Sequence, residues 1–267
     1  MTELRPDFYG DFSCKASACR HTCCRGWEIE IDEDTARYYL SLEGSLGDEL
    51  RRALIFDGEA YSFRLTGNGR CPFLRDDGLC RLILELGEDS LSDICALHPR
   101  FFACFRGFEL CGLGLACERA AELLLAGRGR LGFLTEAGER LSLDGIVGQQ
   151  ISIEPTLTEK ERERLISKYS LCEPIDDAWE GELNELSALP LPKGFDPETF
   201  VRITDYILYR RLEDLEEYGL EKLVAFAREA GELVLFLAEK TGLCEALRRW
   251  SEEIEYSTEN VRILMNA

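Results

Sequence analysis

Along the C-terminal third of the chain, apolar positions recur every three to four residues, the spacing that gathers them on one face of a helix. The pattern predicts helices over 197–213, 220–241, 243–254 and 258–265, with Asp196 capping the first and Gly242 closing the second. Thr158-Glu159-Lys160-Glu161 reads as a capping box opening another helix, and Pro190 and Pro192 punctuate a linker. Nearer the N-terminus the helical period returns in two short stretches, 35–40 and 46–54, expected to pack beside the first cysteine loop. Residues 61–66 alternate with the period of a strand and run into Gly67-Asn68-Gly69, and 79–84 is the candidate partner strand. The stretch 105–115 is ambiguous because Gly107, Gly112 and Gly114 interrupt its apolar run. Residues 117–126 are again helical, and the glycine-rich 127–156 reads as loop with room for one hairpin.

These elements describe a mainly α protein with a few short strands, a cysteine-rich metal-binding N-terminal part followed by a helical bundle. The expected divisions are a cysteine-rich metal or iron–sulfur domain at 1–126, a loop-rich connecting region with one helix at 127–196, and a C-terminal helical bundle at 197–267. With 45% hydrophobic and 31% charged residues, the 267-residue chain has the balance of a folded protein. Its formal net charge of −20 is spread over both halves and leaves no basic tract, which argues against nucleic acid and against an anionic membrane surface as partners. The first residues lack the basic start and apolar stretch of a secretory signal, and no apolar run reaches membrane-spanning length. The expectation is a cytoplasmic protein without membrane insertion.

A reducing compartment changes how twelve cysteines are read, favouring thiolate–metal bonds over disulfides. Ten of the twelve fall within the first 117 residues, in groups: Cys14-x4-Cys19-x3-Cys23-Cys24, then Cys71-Pro72-Phe73-Leu74 with Cys80 and Cys95, then Cys117. Short loops with two or three thiols plus a distant fourth suit a structural zinc or a 4Fe-4S cluster equally, and spacing does not choose between them. Adjacent Cys23 and Cys24 are not expected to bind one small ion together. His21 and His98 are alternative ligands, each with an ordinary structural reading beside it. Cys104, Cys111, Cys172 and Cys244 lie among apolar residues and are read as small core hydrophobes.

The string Phe12-Ser13-Cys14, Cys19, Cys23-Cys24-Arg25-Gly26-Trp27-Glu28-Ile29-Glu30-Ile31-Asp32 resembles the opening motif of the flagellin lysine N-methylase family, itself related to a wider group of zinc- or iron-chelating cysteine-rich domains. The likeness continues in order through Cys71-Pro72-Phe73-Leu74, Gly78-Leu79-Cys80, Cys95, Pro99-Arg100 and Leu113 to Ala120, and returns at Glu253 to Asn260. The resemblance implies methyl transfer from S-adenosylmethionine to lysine ε-amines of flagellin, with an iron–sulfur centre. The metal set is then Cys14, Cys19, Cys23, Cys24, Cys71, Cys80, Cys95 and Cys117. Asp32 and Glu118, beside the cysteine motifs, are the candidate catalytic carboxylates, and Arg100 the candidate partner for the carboxylate of S-adenosylmethionine. Cys117 is expected at a helix start, where the positive helix end stabilises a thiolate. The competing reading is a non-catalytic zinc- or iron-binding chaperone or redox adaptor. Tyr206, Tyr209 and Arg210-Arg211 are read as core before partner recognition, and the acidic run 213–217 as a solvated face.

Overall fold

The computed structural model describes residues 1–267, and the chain divides into two compact units, Cys14–His98 and Met1–Ser13 together with Pro99–Ala267. Strand β1 (Thr2–Pro6) opens the larger unit. The smaller unit follows, with β2 (Glu30–Ile31), α1 (Glu33–Ser41), α2 (Gly44–Ala53), β3 (Leu54–Phe56), β4 (Tyr61–Phe63), α3 (Arg81–Leu86) and α4 (Asp93–Leu97). The chain then re-enters the larger unit through β5 (Arg100–Phe105), β6 (Phe108–Leu113), α5 (Glu118–Ala126), β7 (Gly132–Thr135), β8 (Arg140–Ser142) and α6 (Leu143–Val147). It ends in α7 (Glu159–Tyr169), α8 (Trp179–Glu185), α9 (Pro197–Arg210), α10 (Leu215–Tyr218), α11 (Leu220–Thr241), α12 (Leu243–Trp250) and α13 (Thr258–Asn266). The protein is thus mainly helical with short strands. The smaller unit lies inside the expected cysteine-rich region 1–126, whose two ends are built into the larger unit instead.

In the smaller unit, β4 is the middle strand of an antiparallel trio, flanked by β2 and β3. The strand expected at 79–84 does not form, and α3 stands in its place. Leu82 and Leu86, four residues apart, pack on the apolar core, while Arg81 pairs with Glu85 one turn away at 2.5 Å, so the run satisfies the helical period once Cys80 is extended. Gly87, at φ +89°, ends the helix. The core gathers Ile29, Ile31, Tyr39, Leu50, Phe63, Phe73 and Leu82. Tyr39 stacks on Phe63 and donates its hydroxyl to the Ser90 carbonyl at 2.6 Å.

The larger unit is built on a five-stranded sheet ordered β5-β6-β1-β7-β8, in which β1 runs parallel to β6 and antiparallel to β7. The ambiguous stretch 105–115 is a strand because Arg106 and Gly107, both at positive φ, make the tight turn that folds β6 back on β5. Gly112 leaves the room that the rings of Phe101 and Tyr206 occupy, since a Cβ there would collide with both. The expected hairpin in 127–156 is β7–β8, while the helix α6 after it was not expected. Asp196 caps α9 through the Glu198 amide, Thr158 caps α7 through the Glu161 amide, and Gly242 closes α11. The side chain of Glu161 does not complete a reciprocal box and pairs with Arg164 and Arg228. Beyond α12 the helix loosens into a π turn at Ser251–Glu255. No helix is long and apolar enough to cross a membrane.

The C-terminal helices and the sheet share one core. Tyr206 and Tyr209 on α9 are both wholly buried there, stacked with centroids 6.2 Å apart. The Tyr206 hydroxyl donates to the Leu113 carbonyl and accepts from the Leu113 amide, and Tyr209 donates to the carbonyls of Leu4 and Cys111 at 2.6 and 3.0 Å. Tyr209 therefore ties α9 to both β1 and β6. Tyr209→Phe should cost about 1–3 kcal/mol, the usual range for leaving buried polar groups without their partner, read from urea unfolding. A second check concerns Glu232, fully buried on α11, which accepts from the Thr156 amide at 2.5 Å and from Arg228 at 2.8 Å. Burial pushes its carboxyl up to about 7, above its ordinary 4.5, despite those two donors. A carboxyl whose pKa is higher in the folded state stabilises below its ordinary value and loses that contribution as pH rises through the folded one. Glu232→Gln should accordingly gain on the wild type between pH 4.5 and about 7, by up to about 3 kcal/mol, in unfolding measured across that window.

Candidate metal centre

Four cysteines reach the core of the smaller unit from different stretches of chain. Cys24 ends the first cysteine loop and Cys71 starts the Cys-Pro-Phe-Leu segment, and backbone pairing sets them side by side. Arg25 bridges to Arg70, and the Cys71 amide donates to the Cys24 carbonyl at 2.8 Å. A second bridge, Leu74 with Cys80, closes the loop that Gly78, at φ +79°, turns. Cys80 then stands at the N-cap position of α3, and Cys95 lies within α4. Cys71 is buried, whereas Cys24, Cys80 and Cys95 are half-buried and pack on the same apolar cluster of Tyr39, Phe63 and Phe73.

Electrostatics links the four. Burial pushes the Cys71 thiol up to about 12, and negative charge on Cys24, Cys80 or Cys95 pushes it further. Burial likewise raises Cys80 and Cys95, with Cys24 acting on both and Cys80 on Cys95. Cys24 goes the other way: the thiol of Cys23 hydrogen-bonds to its sulfur and, against burial and with help from the Thr22 hydroxyl, brings it down to about 7. The set is one low-pKa sulfur among three whose charging the surroundings oppose. Buried thiols that repel one another as thiolates call for a positive centre before they can ionise together.

The other sequence candidates take different positions. Cys14 and Cys23 are exposed and Cys19 half-buried on the first loop, where the Ala16 amide donates to Cys14 at 3.3 Å and the Cys19 thiol donates to the His21 carbonyl at 3.1 Å. Cys117 belongs to the larger unit, at the start of α5 where a helix-end thiol was expected, and Glu118 follows it in the first turn, 1% exposed. Asp32 caps α1: against the cost of burial, the amides of Thr35 and Asp93, at 2.8 and 3.1 Å, hold its carboxyl below the ordinary range. Arg100 opens β5, its guanidinium 5.3 Å from the centre of the Phe12 ring. Burial lowers His98 and so keeps its imidazole neutral, the form able to ligate. Cys111 and Cys172 are buried and Cys244 half-buried, but Cys104 is exposed and not the core residue expected, because strand alternation turns it outward between buried Ala103 and Phe105.

One donor group escaped the sequence. Glu3, Glu109 and Cys111 bring one ligand atom each within 4.8 Å of one another. Glu3 and Glu109 face each other across the parallel β1–β6 register, and Cys111 lies two residues further along the same face. Only strand pairing assembles this group, so no spacing within one segment could announce it. Arg5 pairs with Glu3 at its edge.

Fold and thiols together define a cysteine-rich protein in which a small thiol-bearing unit is joined to a larger, mainly helical one. The chain resembles the lysine-N-methylases of Salmonella choleraesuis and Salmonella typhimurium, each 33% identical over 137 residues, covering 47% of this chain and 33% of the relative. It is also 32% identical over 137 residues to the flagellar biosynthetic protein FliU of Salmonella muenchen, covering 78% of that protein. The chain belongs to the family of lysine-N-methylase and FliU proteins. It spans about a third of the length of the lysine-N-methylases it matches. No family model matches the chain, and no solved structure matches it.

The thiol electrostatics can be read directly. Brief alkylation of metal-free protein with iodoacetamide at neutral pH, followed by peptide mass spectrometry, should modify Cys24 first among the four core-facing thiols and Cys71 last. Equal rates at the two positions would contradict the arrangement.

Proposed function

We propose that the smaller unit binds a metal or iron–sulfur centre through Cys24, Cys71, Cys80 and Cys95, and that the protein acts in S-adenosylmethionine-dependent methylation of lysine ε-amines on flagellin. The observation that carries this reading is the convergence of four mutually repelling thiols on one apolar core, in a relative of lysine-N-methylases. The donor chemistry fits. Four soft sulfurs suit a 4Fe-4S cluster and also a tetrahedral zinc, and a bound cation offsets the burial that holds Cys71, Cys80 and Cys95 above the ordinary thiol range. The family resemblance favours the cluster. When bound, such a cluster supplies a sulfur-ligated centre able to exchange electrons. Cys14, Cys19, Cys23 and Cys117 are the remaining candidate donors.

Methyl transfer to lysine needs the amine neutral and held in line with the methyl group, so a carboxylate must orient it and relay its proton. Of the two candidates, Asp32 already accepts two helix-end amides and is committed to capping, and Glu118 is buried in the first turn of α5. The acidic chain, at −20, attracts a lysine-bearing partner and repels polyanions.

The test is anaerobic purification, then iron, sulfide and zinc analysis, then incubation with methyl-labelled S-adenosylmethionine and flagellin. Wild-type protein should hold iron and sulfide and label flagellin lysines. Cys71→Ser and Cys95→Ser should lose most of the bound metal, and Cys172→Ser, at a buried thiol of the larger unit, should keep it. Metal-loaded protein that transfers no label would mark a non-catalytic chaperone or redox adaptor instead.

A further inference from the structure

The larger unit holds an open cavity of about 490 Å³, between the extended segment 151–155 and the first turns of α9. Its walls are apolar, supplied by Ile153, Phe195, Phe200 and Val201, and a charged pair, Arg130 with Asp205, lines it beside Glu154. Apolar walls with a few placed polar groups are the usual composition of a small-molecule site, and the volume falls in the usual range.

The charged pair is built into the fold. Asp205 is 2% exposed, and both of its donors, Arg130 Nε at 2.8 Å and the Leu131 amide at 3.1 Å, converge on Oδ2, so Oδ1 receives no donor from the protein. Arg130 is held by three acceptors: Asp205 through Nε, the Ile151 carbonyl through one terminal nitrogen, and Asp144 through the other. Each terminal nitrogen carries two hydrogens, so one on each remains for a ligand, and the side chain is 42% exposed. The cavity thus presents a carboxylate oxygen in want of a donor beside a guanidinium with donors to spare. An ammonium and a carboxylate on adjacent atoms meet both demands. Glu154, also on the lining, and Asp144, bound to Arg130, add negative charge, so the surroundings favour a cationic ligand.

We propose that this cavity takes the α-amino-acid end of a ligand with an apolar remainder and one further positive charge, the ammonium on Asp205 Oδ1 and the carboxylate on Arg130. S-adenosylmethionine has this constitution: an amino acid, a sulfonium and an aromatic base. The assignment to that molecule rests on the methylase reading, whereas the amino-acid specificity does not.

Calorimetric titration of the full chain with S-adenosylmethionine, and separately with methionine, tests it. Two variants probe the cavity without removing the buried carboxylate: Val201→Trp, which fills a half-exposed position on the wall, and Arg130→Lys, which keeps the charge but loses the two-pronged donor. Thermal melts establish that both remain folded. Binding of either ligand by the wild type, weakened at least tenfold by Val201→Trp and by Arg130→Lys, supports the cavity. Methionine binding alone, with the same sensitivity, keeps the amino-acid site and removes the methyl donor. S-adenosylmethionine bound equally by wild type and folded variants overturns the cavity and leaves the methylase reading standing. Binding of neither ligand also overturns it, and the label-transfer assay on flagellin then decides the methylase reading on its own.

Discussion

The burial of sulfur against a small apolar core is the constraint around which the smaller unit is arranged. Its apolar core, built on Tyr39, Phe63 and Phe73, is small, and cysteine side chains cover part of it. Burial favours the neutral thiol, while soft-metal chemistry demands the thiolate. The surroundings act unevenly: the neighbouring Cys23 thiol draws Cys24 down against its burial, whereas burial raises Cys71, Cys80 and Cys95. A set of this kind is indifferent as a hydrophobic core and well suited to a cation.

The larger unit is held differently. Its sheet is narrow and its strands short, and long buried helices do the packing, with tyrosine hydroxyls of α9 reaching strand backbones. Buried arginines paired with carboxylates of other elements, such as Arg210 with Glu255 at 2.7 Å and Arg249 with Glu182 at 3.0 Å, fix the helices in register. Such pairs add little net stability when well made, but leaving one half alone is costly, so they discriminate against misaligned packing.

What could be read from the sequence follows the range of the interactions that decide each element. Helices such as α9, α11 and α13 declared themselves, because the apolar period lies within one segment, joined by the Asp196 cap of α9 and the closing Gly242 of α11. Residues 79–84 misled because Leu82-Ile83-Leu84 reads as a strand until Leu86 and the Arg81–Glu85 pair are counted. The N-terminal strand went unseen, since five residues carry no period of their own and the partners of β1 lie more than a hundred residues away. The cysteine groups were visible at once. Which of them share a neighbourhood was not, because the pairing of Cys24 with Cys71 runs through backbone bridges that no spacing encodes.

The order of the strands has a consequence for biogenesis. β1 is synthesised before its partners, yet it is the middle strand of its sheet, and neither β6 nor β7 exists until the whole segment Cys14–His98 has been made. The sulfur-bearing unit is therefore complete as a chain while its host is still an unpaired strand. A nascent chain stalled at that step would carry an open strand edge ready to pair with a stranger.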